Sequence, residues 1–541
     1  MTKFTSLHRH ALAALLAVCA GTVLFSDVAW AGGVEFPENG PRALGRGGAF
    51  VAGVDDASAV YFNPGALSRS DGFNLSLGLN LVDLDMEFER SPFIYQEDGR
   101  EQDRFRREIQ FQSVENEGGV FPAPMFFMSH DFGLEDFTFG FGVYGPSAYG
   151  TPSFPKMDTY PEDDPDAVAD EYTPSRSNPI IGDDEPARDG GQAYMIVDQS
   201  ILLFYPSLSV AYELEKLNLS LGLSAQLVGL IIDFTVGVDG DSSQTTDVDR
   251  PSTEAEGLYA ETVLEARGYS GTGILGFLWE PSNRFALGGH YRMRYNIQAR
   301  GEIDIDFPPL GGVDVGFLQG DGSLAGTADA TVDISFPDIF RLGAVYTHRN
   351  AADREIFDLE LNVNYEAWAR LKAFVVNVDG FVDDSAGTLG RTIPELSLRR
   401  NFNNVVGVRL GSEISALRNA ETGNGPVFRL GGFFETNAQP EEWTNLDFVS
   451  WARVGATLGF GYHIGPVSID TAFSYMWSPE REVDNGRYDV LMPLWVCEDP
   501  PTEEAAEQCA GVQRADVVHA VNNGTYRSSL KIFSLGLTYG W

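Results

Sequence analysis

Apolar and polar residues alternate along much of this chain with a period of two. At the C-terminus Phe533, Leu535, Leu537, Tyr539 and Trp541 share one face, and Ser534, Gly536, Thr538 and Gly540 the other. Phe73, Leu75, Leu77, Leu79 and Leu81 repeat the pattern, as do Phe137, Phe139, Phe141 and Val143, and Leu217, Leu219, Leu221 and Leu223. Such alternation predicts strands with one apolar and one polar face. Between 284 and 298 the odd positions Phe285, Leu287, Tyr291, Met293, Tyr295 and Ile297 are apolar or aromatic, while the even ones include His290, Arg292, Arg294 and Asn296. An arginine facing lipid near the midplane costs about 2–4 kcal/mol, so Arg292 and Arg294 are expected to point inward.

The pattern predicts fourteen strands, at residues 72–88, 120–131, 136–145, 197–212, 217–235, 267–280, 284–300, 328–348, 355–375, 400–413, 426–435, 449–464, 467–478 and 526–541. Tight turns are expected at 133–134, 213–216, 281–283 and 465–466, and all but the second carry Gly, Pro or Asn. They alternate with long connections, and the last strand ends on an aromatic residue. These features predict an all-β fold, a 14-stranded antiparallel transmembrane β-barrel in a bacterial outer membrane, with both chain ends on the periplasmic side. An exported β-sandwich or propeller would also show short alternating strands, but it explains neither the loop asymmetry nor the aromatic end.

The membrane reading survives a mean hydropathy of −0.13 because a barrel strand needs apolar residues only at every second position. Beyond residue 31 no run of eighteen apolar residues is available for a helix, so a membrane-spanning chain must close into a barrel. Residues 1–31 have the form of a signal peptide: Lys3 and Arg9, an apolar run, then Ala29-Trp30-Ala31. Among 541 residues, 78 Asp and Glu stand against 37 Lys and Arg, a net charge of −41 that excludes nucleic acid as a partner. The segment 159–191, dense in Asp, Glu and Pro, is expected as an outer loop; another outer loop, 478–526, carries Cys497 and Cys509, expected as a disulfide. The expected surroundings are outer-membrane lipid and lipopolysaccharide, and the expected state is a monomer.

Residues 43–67, ALGRGGAFVAGVDDASAVYFNPGAL, break the alternation. A small-residue segment of this kind cannot be a wall strand and is expected to fold as a knot inside the lumen. Asp55 and Asp56 are expected to cap a short helix over 57–62, and Pro64 to end it. A phosphate loop at Gly45-Arg46-Gly47-Gly48 is excluded, since no strand precedes it and no Lys-Ser/Thr follows. The Asp pair lacks further ligands at metal spacing, so neither a metal nor a cofactor is expected.

The stretch RALGRGGAFVAGVDDASAVYFNPGALS resembles the N-terminal hatch of the FadL family, outer-membrane transporters of long-chain fatty acids and other hydrophobic compounds. The likeness continues in VFPAPMFFMSHDFGLEDFTFGFGVYGPSAYG and WARVGATLGFGYHIGPVSIDTAFSYMW. The resemblance implies a signal peptide at 1–31, a hatch at 32–71 carrying Asp55, Asp56, Asn63, Pro64 and Gly65, and a barrel at 72–541. It departs from the family where Asn63-Pro64 is followed by Gly65 before Ala66, and where the outer loop is acidic rather than apolar. It also implies passive transport through an internal apolar pocket, with release sideways where the third strand kinks, here at Gly145-Pro146. A fatty-acid carboxylate would find lumen cations among His290, Arg292, Arg294, Arg341, Arg409 and Arg429, though for any single one of them the expected role is a structural ion pair with Asp358, Glu360 or Glu366, with Arg42 or Arg46 of the hatch as further members. The alternative is a non-transporting scaffold or shuttle for protein secretion. An enzyme is not expected: no Gly-x-Ser-x-Gly elbow occurs.

Overall fold

The computed structural model describes residues 39–96, 106–145, 151–155, 190–239, 259–306, 314–385, 391–392, 396–448, 450–488 and 520–541. The signal peptide, Pro146, Cys497, Cys509 and nearly all of the acidic segment 159–191 lie outside them. Among the described residues, fourteen antiparallel strands close into one barrel. They are β1 (Phe73–Arg90), β2 (Phe121–His130), β3 (Phe137–Tyr144), β4 (Asp198–Leu214), β5 (Leu219–Asp239) and β6 (Tyr259–Ser282), followed by four strands that are each in two segments. These are β7 (Phe285–Arg292 and Tyr295–Ile305), β8 (Thr327–Phe336 and Ile339–Arg349), β9 (Glu355–Glu366 and Ala373–Asp379) and β10 (Leu396–Arg399 and Val405–Ile414). Four more, β11 (Gly425–Glu435), β12 (Arg453–Ile464), β13 (Val467–Val483) and β14 (Gly524–Gly540), return to the start. Leu77 pairs with Leu537 on one side and Phe126 on the other, which closes the ring and leaves no edge to be desolvated. The Phe73 amide donates to the Trp541 carbonyl at 2.7 Å, so both ends of the barrel sequence meet at one rim.

The wall changes polarity halfway up. On β1 and β14 the outward residues nearest that rim are apolar and include Leu77, Leu81, Phe533, Leu535 and Leu537. Farther along they become Asp83, Asp85, Arg527 and Lys531, joined as Lys531–Asp85 at 2.6 Å and, to β13, Arg527–Glu480 at 2.6 Å. Nine strand residues at the usual rise and tilt span about 23 Å, which matches a hydrocarbon belt. The upper half of the wall therefore stands above it. Inside, the order is reversed: the lower lumen is polar and the upper lumen apolar.

In β1, β5 and β14 the strand runs unbroken and the apolar phase of the sequence swaps. Odd positions up to Leu81 face lipid, whereas Val82, Leu84, Met86 and Phe88 turn to the lumen side; Leu227 and Val228 mark the same exchange in β5. Leu81 pairs with Phe533, and Val82 with Ile532, so the exchange falls at one height on β1 and β14. In β7 and β8 the apolar phase of the sequence does not swap; the chain itself breaks and turns over. The breaks lie side by side. The Tyr291 hydroxyl and the Arg294 amide both donate to Asp338 Oδ1, at 2.8 and 3.2 Å, and the Ala367 amide donates to the Asp338 carbonyl at 3.0 Å. Pro337 has no amide to continue the ladder.

This corrects the expectation for Arg294. Arg292 is buried in the lumen, but the break after it leaves Arg294 exposed on the outside and sends Tyr295 and Ile297, expected to face lipid, into the interior.

Residues 39–70 sit inside the lower lumen as the hatch. They form α1 (Pro41–Gly45), α2 (Ala59–Phe62) and a 3-10 turn (Pro64–Arg69). The helix is shorter than expected because Asp56 accepts the Ser58 amide at 2.8 Å, making a turn before the helix starts, while Asp55 is engaged by Arg42. Asn63 is extended; its side chain accepts the Gly65 amide at 3.1 Å and donates to the carbonyls of Val51 and, on β6, Phe277 at 2.9 and 2.8 Å. Hatch and wall touch backbone to backbone. A Cβ on Gly65 would come within 2.8 Å of the Phe277 Cα, and one on Gly222 of β5 would run into the carbonyl carbon of Pro64. Gly222→Val is therefore expected to keep the hatch from seating, read as a raised ion conductance in planar bilayers; wild-type conductance would show that the contact does not hold the hatch.

Candidate functional site

The floor of the lumen is a network of ion pairs between hatch and wall. Arg46 donates to Asp358 at 2.6 Å and to Glu360 at 3.3 Å, both on β9. Glu360 also accepts the amides of Val51, Ala52 and Gly53 at 2.8, 2.7 and 2.9 Å. Arg42 joins Asp55, Asp56 and Glu413. Arg429 lies 2.7 Å from Glu413 and 2.6 Å from Asp470, and Glu435 is shared by Arg409 and Arg453. Arg409 also donates to the Gly47 carbonyl at 2.9 Å. Two of the expected lumen cations, Arg409 and Arg429, are thus already neutralised by carboxylates.

His290 and Arg341 lie higher, against the hatch's aromatic face, and Arg292 lies against tyrosines of the wall. His290 Nδ1 is 3.0 Å from the Phe62 carbonyl, Arg341 donates to the Tyr61 hydroxyl at 3.2 Å, and Arg292 lies over the rings of Tyr205 and Tyr295. Glu366, the third expected carboxylate, accepts from the indole of Trp368 at 2.7 Å.

Above this layer opens an apolar chamber. Ile201 and Leu203 of β4, Leu230, Ile232 and Phe234 of β5, and Leu264 of β6 form one side. Val332, Ile334 and Phe336 of β8 and Phe374 and Val376 of β9 form the other, with Trp368, Leu371, Leu398 and Phe448 closing it. One end is polar. There Arg400 pairs with Asp447 and the Tyr488 hydroxyl, and Gln199 donates to the Asp447 carbonyl at 2.9 Å. Arg400 Nε and Gln199 Oε1 are buried and have no hydrogen-bond partner among the described residues. Burial pushes the Asp447 carboxyl above its ordinary range, although Arg400 and the Phe448 amide pull the other way. The arrangement can hold a long apolar body and offer hydrogen bonds to a polar group at one end; an ion pair already balances the charge there.

Arg400, Asp447 and Gln199 were not among the candidates from sequence. They come from β10, the connection after β11, and the start of β4, and no local pattern links them. The apolar lining did leave a signal, the phase exchange at Leu227-Val228. Gly145 sits where β3 ends, and a Cβ there would collide with nothing more than the Leu203 carbonyl at 2.5 Å and its carbon at 3.8 Å.

Comparison with known proteins agrees with this geometry. A family model described as outer membrane protein transport protein (OMPP1/FadL/TodX) matches residues 192–494, more than half the chain. The crystal structure of a Pseudomonas aeruginosa FadL homologue aligns with a TM-score of 0.62 at 17% identity, covering 94% of this chain and 99% of that one. The Ralstonia pickettii toluene transporter TbuX aligns at 0.55 with 14% identity, and the P. putida toluene transporter TodX at 0.54 with 13%, each covering 93% of this chain and 99% of its own. No curated protein sequence gives a significant match. The fold and the family model together establish that this chain belongs to the FadL/TodX family of outer-membrane transporters for hydrophobic compounds.

Proposed function

We propose that this barrel passes long-chain fatty acids or related hydrophobic compounds across the outer membrane without an energy source. The chamber is the observation that carries the reading. Each methylene moved from water into such a site gains about 0.8 kcal/mol, so an acyl chain or an aromatic hydrocarbon is drawn in. The hatch below blocks the straight path to the periplasm, and release is sideways.

The end of β3 supports an exit at Gly145-Pro146. The ladder from β3 to β2 stops at Val143 and Phe126, and that to β4 stops at Tyr144 and Tyr205. Beyond it, residues 121–125 of β2 have ladder partners only on β1 among the described residues. The toluene transporters among the similar structures make neutral aromatic hydrocarbons a second cargo class. A balanced Arg400–Asp447 pair suits both a neutral cargo and an amphiphile whose polar group shares the hydrogen bonds of Arg400 and Gln199.

The test is uptake of a labelled long-chain fatty acid and a labelled aromatic hydrocarbon by cells with and without the protein. Protein-dependent uptake of at least one is expected. Ile232→Trp, which fills the chamber without touching the hatch, is expected to lower that uptake by about tenfold, the effect of a barrier raised by 1.4 kcal/mol. Equal uptake with and without the protein would refute transport.

A further inference from the structure

The wall carries another interruption, between β6 and β7. Their ladder runs from Phe285–Ser282 to Arg292–Ile274 and resumes at Ala299–Gly268. Between these points residues 269–273 have no ladder partner among 293–298, and the Met293 amide donates to the Gly273 carbonyl at 3.0 Å. Two side chains bridge the rest: the Ser270 hydroxyl donates to the Asn296 carbonyl, and the Thr272 hydroxyl to the Met293 carbonyl, both at 2.6 Å. We propose that this seam is a second lateral port, through which apolar or amphipathic cargo leaves the chamber for the outer half of the bilayer. The proposal rests on the transport reading.

A β-ladder in hydrocarbon is held shut because every broken peptide pair leaves polar groups without water. A seam closed by the Met293 amide and two hydroxyls parts once that bond breaks and two side chains rotate. Its sequence, Tyr269-Ser-Gly-Thr-Gly273, puts no side chain across the gap at two positions, and a Cβ on Gly271 would meet only the Gln226 carbonyl, at 3.8 Å.

The height is right for release. Gly271 pairs with Leu227, the last residue of β5 before its apolar phase turns inward. Outward residues below the seam on β6 are Leu275, Phe277 and Trp279; above it are Arg267 and Glu265. A molecule emerging here would lay its tail in lipid and keep a polar end at the headgroups.

The seam also has a closed inner side that faces the chamber. The hydroxyls of Tyr205 and Tyr295 are 2.7 Å apart, and the Arg292 guanidinium lies 5.7 and 5.9 Å from their ring centres. Tyr295 stacks at 4.7 Å on Phe336, a chamber residue. The two tyrosines and Arg292 thus stand between chamber and seam as a gate.

The test stitches the seam shut in the full-length barrel. Ser270→Cys with Asn296→Cys, or Thr272→Cys with Met293→Cys should the first pair misfold, is reconstituted in vesicles. Uptake of a labelled fatty acid or hydrocarbon is measured after oxidation and again after reduction, with cross-linking verified by mass spectrometry. Tyr212→Cys with Leu221→Cys, across the intact ladder of β4 and β5, is the control. With the exit at Gly145-Pro146 still open, two comparable routes in parallel predict about a twofold fall on oxidation, reversed by reductant, with the control unmoved. Unchanged uptake through a fully cross-linked seam would overturn the port and leave transport standing. No uptake by the unmodified barrel would overturn both.

Discussion

Removing residues 39–70 turns the barrel into an open pore. In planar bilayers the conductance is expected to rise by about tenfold or more, since a lumen somewhat narrower than a porin's remains once the plug is gone. The reasoning is in the contacts. α1, the Gly-rich turn after it and the 3-10 segment occupy the lower lumen, seated against wall glycines, and the wall side chains that face them are Arg409, Glu413, Arg429, Asp358, Glu360 and Asp470. Those groups are charged and would bind water readily if the hatch were absent, so the strands should still close. A variant that folds in vesicles yet conducts like the intact chain would show that some other part of the molecule blocks the lumen.

Glu360→Ala is the second large effect. This carboxylate accepts three consecutive hatch amides and holds Arg46, so its loss leaves those amides unmet and the buried guanidinium with Asp358 as its remaining carboxylate partner. Breaking a buried pair by removing one partner costs about 3–5 kcal/mol. Because the lost contacts all lie between hatch and wall, the cost should fall on docking rather than on the barrel. Bursts of conductance and protease cleavage of the hatch are expected, at a nearly unchanged unfolding midpoint for the strands. Glu360→Gln, which keeps an acceptor, should fall between the two. A quiet, protease-resistant Glu360→Ala barrel would mean that Glu360 is not the latch.

The strand pattern was legible because lipid leaves little choice: a residue facing hydrocarbon must be apolar, and its neighbour faces a wet or plugged lumen. Hence all fourteen strands can be found from sequence, including those such as β9 that are interrupted in space. The side that each residue faces was less legible. In β7 the odd positions are apolar from Phe285 to Ile305 almost without exception, which reads as one strand with one lipid face. The break at Met293-Arg294 carries that same apolar phase from the outside to the inside. Arg294 was misplaced for this reason. A run of consistent alternation conceals a turned-over chain, whereas an unbroken strand such as β1 declares the inversion by changing phase at Leu81-Val82.

The hatch motif was readable as a departure from alternation, and its glycines made sense once wall glycines were found opposite them. The chamber was not readable. Its walls come from strands up to about 200 positions apart in the chain, and its polar end depends on Arg400 and Asp447 meeting after the barrel has closed. Residue types suggest ion pairs for Arg409 and Arg429 but not which carboxylates complete them: Glu435 for the first, Glu413 and Asp470 for the second.

On the proposed function, cargo is received in an apolar chamber above a polar, plugged floor. Anomalous scattering from crystals of the full-length barrel soaked with a brominated long-chain fatty acid and, separately, a brominated aromatic hydrocarbon tests it most directly. A bromine peak between Ile232, Phe234, Val332 and Phe374 is expected for at least one of them. Bromine found only on the lipid-facing wall, with ordered water filling the chamber, would contradict it.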